Sequence, residues 1–319
     1  MQGRTLVLCV LVAAGGLAPA RGQLVLPGEA DRGVTLVEVN QLAIYHKQRQ
    51  ELIVQATLDL PATGVERLAF VIPVPSAPEY VGFEDSQVLR DLGAHRRHAA
   101  GGPWGTREIA GDYGLTKAAI SPENDRPVSE ALNAWLTLNG LGAIDSARLK
   151  YYDEHGWSFV VQRVSGSTHG GRGTLRPVRI SFGGKRITFP LRLMAAEQSF
   201  SCRLFLMTKN NLDVTPLEDY GFSISGGPSR LKLNQLPESV GSLVGRAGAG
   251  YGVFREFKRG PIYLFSAAAD VYKPDWPAEV QLPGPHISSI GMIQNILAVA
   301  AAATAVIMLS RARKKPSGE

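Results

Sequence analysis

From Ile287 to Ser310 the chain runs twenty-four residues without a charge, then meets Arg311, Arg313, Lys314 and Lys315. No other feature restricts the architecture as strongly. Taken as helix, Ile290 to Leu309 rises about 1.5 Å per residue and spans about 30 Å, the thickness of a hydrocarbon core. Gln294 and Asn295 fall in its first turns, where interfacial water reaches them. The bases that follow mark the cytoplasmic side. A buried core helix would suit the alanines at 298 and 300–303, but such a helix rarely runs straight into a basic cluster. The body before residue 287 is therefore expected to fold outside the bilayer. Pro283-Gly284-Pro285 reads as a stiff stem ahead of the span. Leu282-Pro283 opens as a sortase signal does, but the threonine that signal needs is missing.

The other end points the same way. Met1 to Arg4 is positive, Thr5 to Leu17 is uncharged, and Ala18-Pro19-Ala20-Arg21-Gly22 supplies small residues. That order describes a secretory signal peptide, with cleavage after Ala20 or Gly22. Gly15-Gly16 and Pro19 interrupt the segment well short of the ~20 residues a span needs. The expected organisation is a signal peptide over 1–22, an extracytoplasmic domain over 23–286, a transmembrane helix over 287–310 and a cytoplasmic tail over 311–319.

Charge is then easier to place. The 319 residues carry a formal net charge of +6. Two bases lie in residues 1–22 and four in 311–319, which leaves 28 bases against 27 acids between them. A nearly neutral body argues against nucleic acid as a partner. With 45% apolar and 19% charged residues, it is also not a disordered chain. Once the signal peptide is removed, Cys202 is the only cysteine, so an intramolecular disulfide is impossible. Cys202 lies in Phe200-Ser-Cys-Arg-Leu-Phe205 and reads as a small buried hydrophobe.

Within the body, Thr35–His46 and Glu51–Leu58 flank a polar turn and predict a hairpin. Leu68–Val74 predicts a third strand. Pro73, Pro75 and Pro78 should lead Ile72–Pro78 out of the sheet as an extended edge. Residues 91–126 read as a flexible loop with at most one short strand near Ile109. Pro127 opens a helix whose Val128, Ala131, Leu132, Trp135 and Leu136 share one face, and Asn139-Gly140 stops it. A second helix runs from about Ile144 to His155. The strand Trp157–Val164 follows. Leu175–Phe182 and Lys185–Met194 flank Gly183-Gly184 and predict another hairpin. Further strands are expected at Arg203–Thr208, Gly221–Ser225 and Ile262–Ala267. The class is α+β, a mostly antiparallel sheet with one helical hairpin and a C-terminal transmembrane helix.

Three stretches carry a resemblance. They are Phe70-Val-Ile-Pro-Val-Pro-Ser-Ala-Pro78, Ala131-Leu-Asn-Ala-Trp-Leu-Thr-Leu-Asn-Gly140, and Tyr151-Tyr-Asp-Glu-His-Gly-Trp-Ser-Phe-Val160. With Arg176-Pro177 and Phe189-Pro-Leu-Arg192, they resemble the bacterial domain of unknown function 2330 family. The resemblance covers a core of about 38–194, with 195–280 as an extension. It implies an exported protein and assigns no activity or catalytic residue.

Catalytic patterns fail on inspection. His95-Arg-Arg-His98 offers two metal ligands, with His155, His169 and Asp112 the nearest offers of a third; a solvated basic loop is the favoured reading, and no metal or other cofactor is expected. Gly245-Arg-Ala-Gly-Ala-Gly250 is followed by Tyr251 and Gly252 instead of the Lys-Ser/Thr of a phosphate loop. Gly221-Phe-Ser-Ile-Ser225 lacks the last glycine of a nucleophile elbow. Two candidate binding features remain. Arg179 and Arg192, expected on adjacent hairpin strands, join Trp135 and Trp157 as a candidate cation–π or carboxylate pocket. The plainer reading has Trp135 anchoring its helix and the arginines pairing with local acids. The edge at Pro73 and Pro75 is a candidate for strand addition by a partner. The favoured expectation is a non-catalytic envelope module that contacts the bilayer through 287–310 and binds an envelope protein or polymer. The alternatives are an envelope hydrolase built from dispersed residues and a subunit of a membrane complex.

Overall fold

A computed structural model describes residues 25–27, 33–95, 107–118, 127–167, 170–195, 199–225, 229–246, 257, 261–271 and 279–284. The expected signal segment, the expected span 287–310 and the basic tail lie outside the described residues. Among the described residues, no helix is long and apolar enough to cross a membrane.

In chain order the strands and helices open with β1 (Val25–Pro27), β2 (Thr35–His46), β3 (Arg49–Leu60), β4 (Val65–Val74) and β5 (Tyr80–Phe83). Next come α1 (Gln87–His95), β6 (Asp112–Ala118), α2 (Val128–Leu138), α3 (Ser146–Glu154) and β7 (Ser158–Ser167). Then β8 (Gly171–Thr174), β9 (Val178–Gly183), β10 (Arg186–Phe189), α4 (Arg192–Ala195) and β11 (Phe200–Thr208) follow. The last are α5 (Pro216–Asp219), β12 (Ser223–Ile224), β13 (Ser229–Leu231), α6 (Glu238–Arg246), β14 (Ile262–Val271) and β15 (Val280–Pro283). The class is α+β and mostly sheet, as expected.

One large sheet runs β12-β14-β11-β2-β3-β9-β5, with β13 beside β14 and β8 beside β3. Its strands are antiparallel except for β2 and β11. A smaller sheet runs β1-β4-β7-β6, and β10 pairs with β15 alone. Alternation along β2 explains how both faces of the large sheet are buried. Val39, Ala43 and Tyr45 enter the core shared with the smaller sheet, α2 and α3, while Leu42 and Ile44 enter a second core. That second core is closed by Val88, Leu89 and Leu92 of α1 and Val240, Leu243 and Val244 of α6. The β2–β3 turn is two residues long, and Lys47 and Gln48 both hold positive φ, 50° and 62°. Positive φ at both positions is the primed turn whose twist suits a tight hairpin.

The helical hairpin is joined by side chains. Asn133 of α2 accepts from the Ile144 amide at 2.9 Å and donates to its carbonyl at 2.8 Å. Pro127 offers α2 no side-chain cap. Asp153 of α3 takes that role, accepting from the Ser129 amide at 3.0 Å and from the Ser129 hydroxyl. Gly140 ends α2 with φ +69°.

Four expectations need correction. The segment 91–126 holds the end of α1 and all of β6. The apolar stripe Val88, Leu89 and Leu92 makes α1 amphipathic, and β6 pairs with β7 despite Gly111 and Gly114. β9 and β10 do not form a hairpin. β3 and β5 already occupy both edges of β9, so β10 crosses to β15. Neither Gly183 nor Gly184 takes positive φ; instead the Gly184 amide donates to the Gln48 carbonyl at 2.8 Å. β4 continues to Val74, with Pro73 in register opposite Phe159. β1 flanks only Leu68–Phe70, so proline's missing N–H is tolerated beyond it. Finally, Ala131 is exposed, and the buried face of α2 is Val128, Ser129, Leu132 and Leu136.

Candidate functional site

The sequence-derived residues separate into two places. Arg192 and Trp157 meet around Tyr151 and Tyr152 of α3. The Arg192 guanidinium lies 4.6 Å from the Tyr151 ring centroid and 5.9 Å from that of Tyr152. Trp157 meets the Tyr152 ring edge-on at 5.5 Å. His155 also stacks on Tyr151, with ring centroids 4.4 Å apart. This arrangement follows from α3 ending at Glu154 and the chain turning at once through Gly156 into β7.

Beneath this aromatic group lies Glu279, immediately before β15 and wholly buried. Its Oε1 accepts from the Tyr152 hydroxyl at 2.5 Å. Its Oε2 accepts from the Leu191 and Arg192 amides at 2.6 and 2.8 Å. Desolvation raises its pKa to about 7, against the opposing effect of these donors and of the Arg192 charge. Burial, reinforced by the Glu279 charge, raises Tyr152 well above its ordinary value. The carboxyl thus ties β15 to α3 and to the start of α4. Sequence reading missed it because Tyr152 and Glu279 are far apart in the chain. The available signal was a lone acid directly preceding the apolar alternation of β15.

Arg179 sits elsewhere. On β9 it pairs with Glu51 of β3 at 3.0 Å and Glu84 at 3.7 Å, and its guanidinium lies 5.1 Å from the Tyr80 ring centroid. Burial raises the Glu51 carboxyl above its usual range, and the Arg179 charge opposes that rise. Arg179 and Arg192 therefore share no pocket. Trp135 is half-buried and packs α2 against the main core. Pro73 is buried in β4, and Pro75 is half-buried just past it.

The remaining motifs are placed as follows. Cys202 is buried in β11, and burial pushes its thiol well above the ordinary range, so it stays protonated. Ser223 pairs with Ala268 in the ladder between β12 and β14. Gly245 belongs to α6. His95 ends α1, while residues 96–98 and 247–250 fall outside the described residues. Among the described residues no group of three or more His, Cys, Asp or Glu side chains is placed to hold a metal. A cleft of about 1050 Å³ lies between the segment Arg230–Leu236 and α6.

Fold and site together define an α+β sheet protein whose buried charges are engaged within the fold. Residues 120–221 match the family described as "Uncharacterized protein conserved in bacteria (DUF2330)". The match takes in α2, α3, Trp157, Arg179 and Arg192, and starts after the Phe70–Pro78 run. No curated protein matches the chain. Among solved structures, the crystal structure of baculovirus P35 is similar with a TM-score of 0.37 and 6% identity, over 79% of this chain and 97% of that one. A likeness this low carries no argument about fold or function.

Proposed function

We propose that the protein is a membrane-anchored extracytoplasmic module that binds a protein or polymer of the cell envelope. The observation that carries this reading is the uncharged stretch 287–310 closed by Arg311–Lys315, following a body of nearly balanced charge. The engagement of Glu51 and Glu279 by neighbours within the fold supports binding over catalysis, because a general acid or base must face its substrate. The test is fractionation. The full chain should stay with membranes through a carbonate wash, and deleting 287–319 should release it. Recovery of the full chain in the soluble fraction would overturn the anchoring.

A further inference from the structure

The long strands give the large sheet two ends, and their charges differ. At the β2–β3 turn end lie residues 46–49, 76–79, 183–186, 208–210, 229–233 and 283–284. They hold seven bases and one acid. Lys47 and Arg49 are on the turn, Lys185 and Arg186 lead into β10, Lys209 follows β11, and Arg230 and Lys232 lie on and after β13. All but Lys209 are exposed, and Lys209 is half-buried. The one acid, Glu79, pairs with Arg49 at 2.8 Å. The opposite end lies about 35 Å away at strand rise. Its segments 33–35, 59–65, 170–172, 199–201 and 269–271 hold one base, Arg172, and two acids, Asp59 and Asp270.

The chain leaves the described body at the basic end. Pro283 pairs with Arg186, and Gly284 follows. Gly284 packs so closely that a Cβ there would come within 2.5 Å of the Lys185 carbonyl and 2.6 Å of the Tyr45 hydroxyl. From Gly284 to Ile287 is three residues, a reach of at most about 10 Å. Arg230 and Lys232 also border the cleft of about 1050 Å³, together with one acid, Glu238, and an apolar lining that includes Leu231, Leu233 and Leu236.

Resting on the anchoring reading above, we infer that this basic end lies against the bilayer and binds anionic lipid headgroups. The stem is too short to hold the body far from the membrane, and the end it presents carries the complementary charge. Each base near an anionic surface contributes about fivefold to binding. The stem and the exposed bases thus fix one orientation of the body on its membrane, while the Lys209 ammonium lies over the Phe257 ring.

The test uses the full chain with Cys9→Ala and Cys202→Ala, reconstituted in phosphatidylcholine vesicles with and without phosphatidylglycerol. A fluorophore is placed at Gln48→Cys or, at the far end, at Ala62→Cys. Nitroxide-headgroup lipid should quench the label at 48 severalfold more than the label at 62, and more strongly with phosphatidylglycerol present. Lys47→Glu, Lys185→Glu, Arg230→Glu and Lys232→Glu together should remove at least half of that difference. Raised ionic strength should do the same without any substitution. Equal quenching at both positions, in vesicles that retain the chain through a carbonate wash, overturns this orientation alone. A difference indifferent to charge reversal and to salt overturns the headgroup contact. Loss of the chain in the wash overturns the anchoring and this inference with it.

Discussion

Glu279 is surrounded by donors and still titrates near neutrality, because three hydrogen bonds do not replace the water its carboxylate loses. Its ordinary value is about 4.3. The folded protein therefore holds this proton more tightly than the unfolded chain does. The stability it contributes is complete below about pH 4.3 and declines as pH rises toward 7. The integrated effect is roughly 4 kcal/mol. Glu279→Gln keeps the shape and removes the titration, with the Tyr152 hydroxyl turning to accept from the amide. The variant should match the parent near pH 4 and exceed it increasingly up to pH 8, measured by denaturant unfolding across pH. A constant gap between the two would refute the assignment. At this scale the sequence was partly legible. The reading that the arginines pair with local acids holds for Arg179 only in that it pairs with acids; those acids, Glu51 and Glu84, are distant in sequence. The Tyr152–Glu279 contact was not legible, because a bond between residues this distant has no local pattern.

Elements with a local period were the most legible. α2, α3 and the β2–β3 hairpin appear where apolar spacing and stop residues placed them. What period could not reveal was partner choice. Lys185–Met194 alternates as a strand should, yet the strand stops at Phe189, Arg192–Ala195 is the helix α4, and β10 pairs with β15 from the far end of the body, since the edges of β9 were taken. Side-chain links between elements are hidden in the same way. Asp153, in the last turn of α3, supplies the N-terminal cap that Pro127 cannot give α2. Asp153→Ala leaves the Ser129 amide without this acceptor and should cost about 1–2 kcal/mol. The urea midpoint should fall with the slope unchanged, as for a loss of stability without a change in compactness. An unchanged midpoint would show that the cap contributes nothing.

For the whole molecule, the division suggested by family resemblance at residue 194 does not follow the fold. β11, from the extension, lies between β14 and β2 in the middle of the large sheet. It is joined to β2 by the parallel pairing that runs from Ser201 opposite Glu38 to Thr208 opposite Tyr45. The matched segment 120–221 is no more self-contained, because β7 and β9 take their neighbours β4 and β3 from outside it. Cutting at 194 would remove β11, β14 and β15 together. That exposes one edge of β2, uncovers Val39, Leu42 and Ile44, and deletes Glu279 from beneath Tyr152. An unpaired apolar edge of that length is an aggregation site. A fragment of residues 23–194 should therefore precipitate or lack a cooperative thermal transition, while residues 23–286 should unfold in one step. Calorimetry and size-exclusion chromatography of the two fragments decide the matter. A soluble 23–194 fragment with its own cooperative transition would mean that the extension is a separate layer added to an independent core. The central place of β11 argues the opposite.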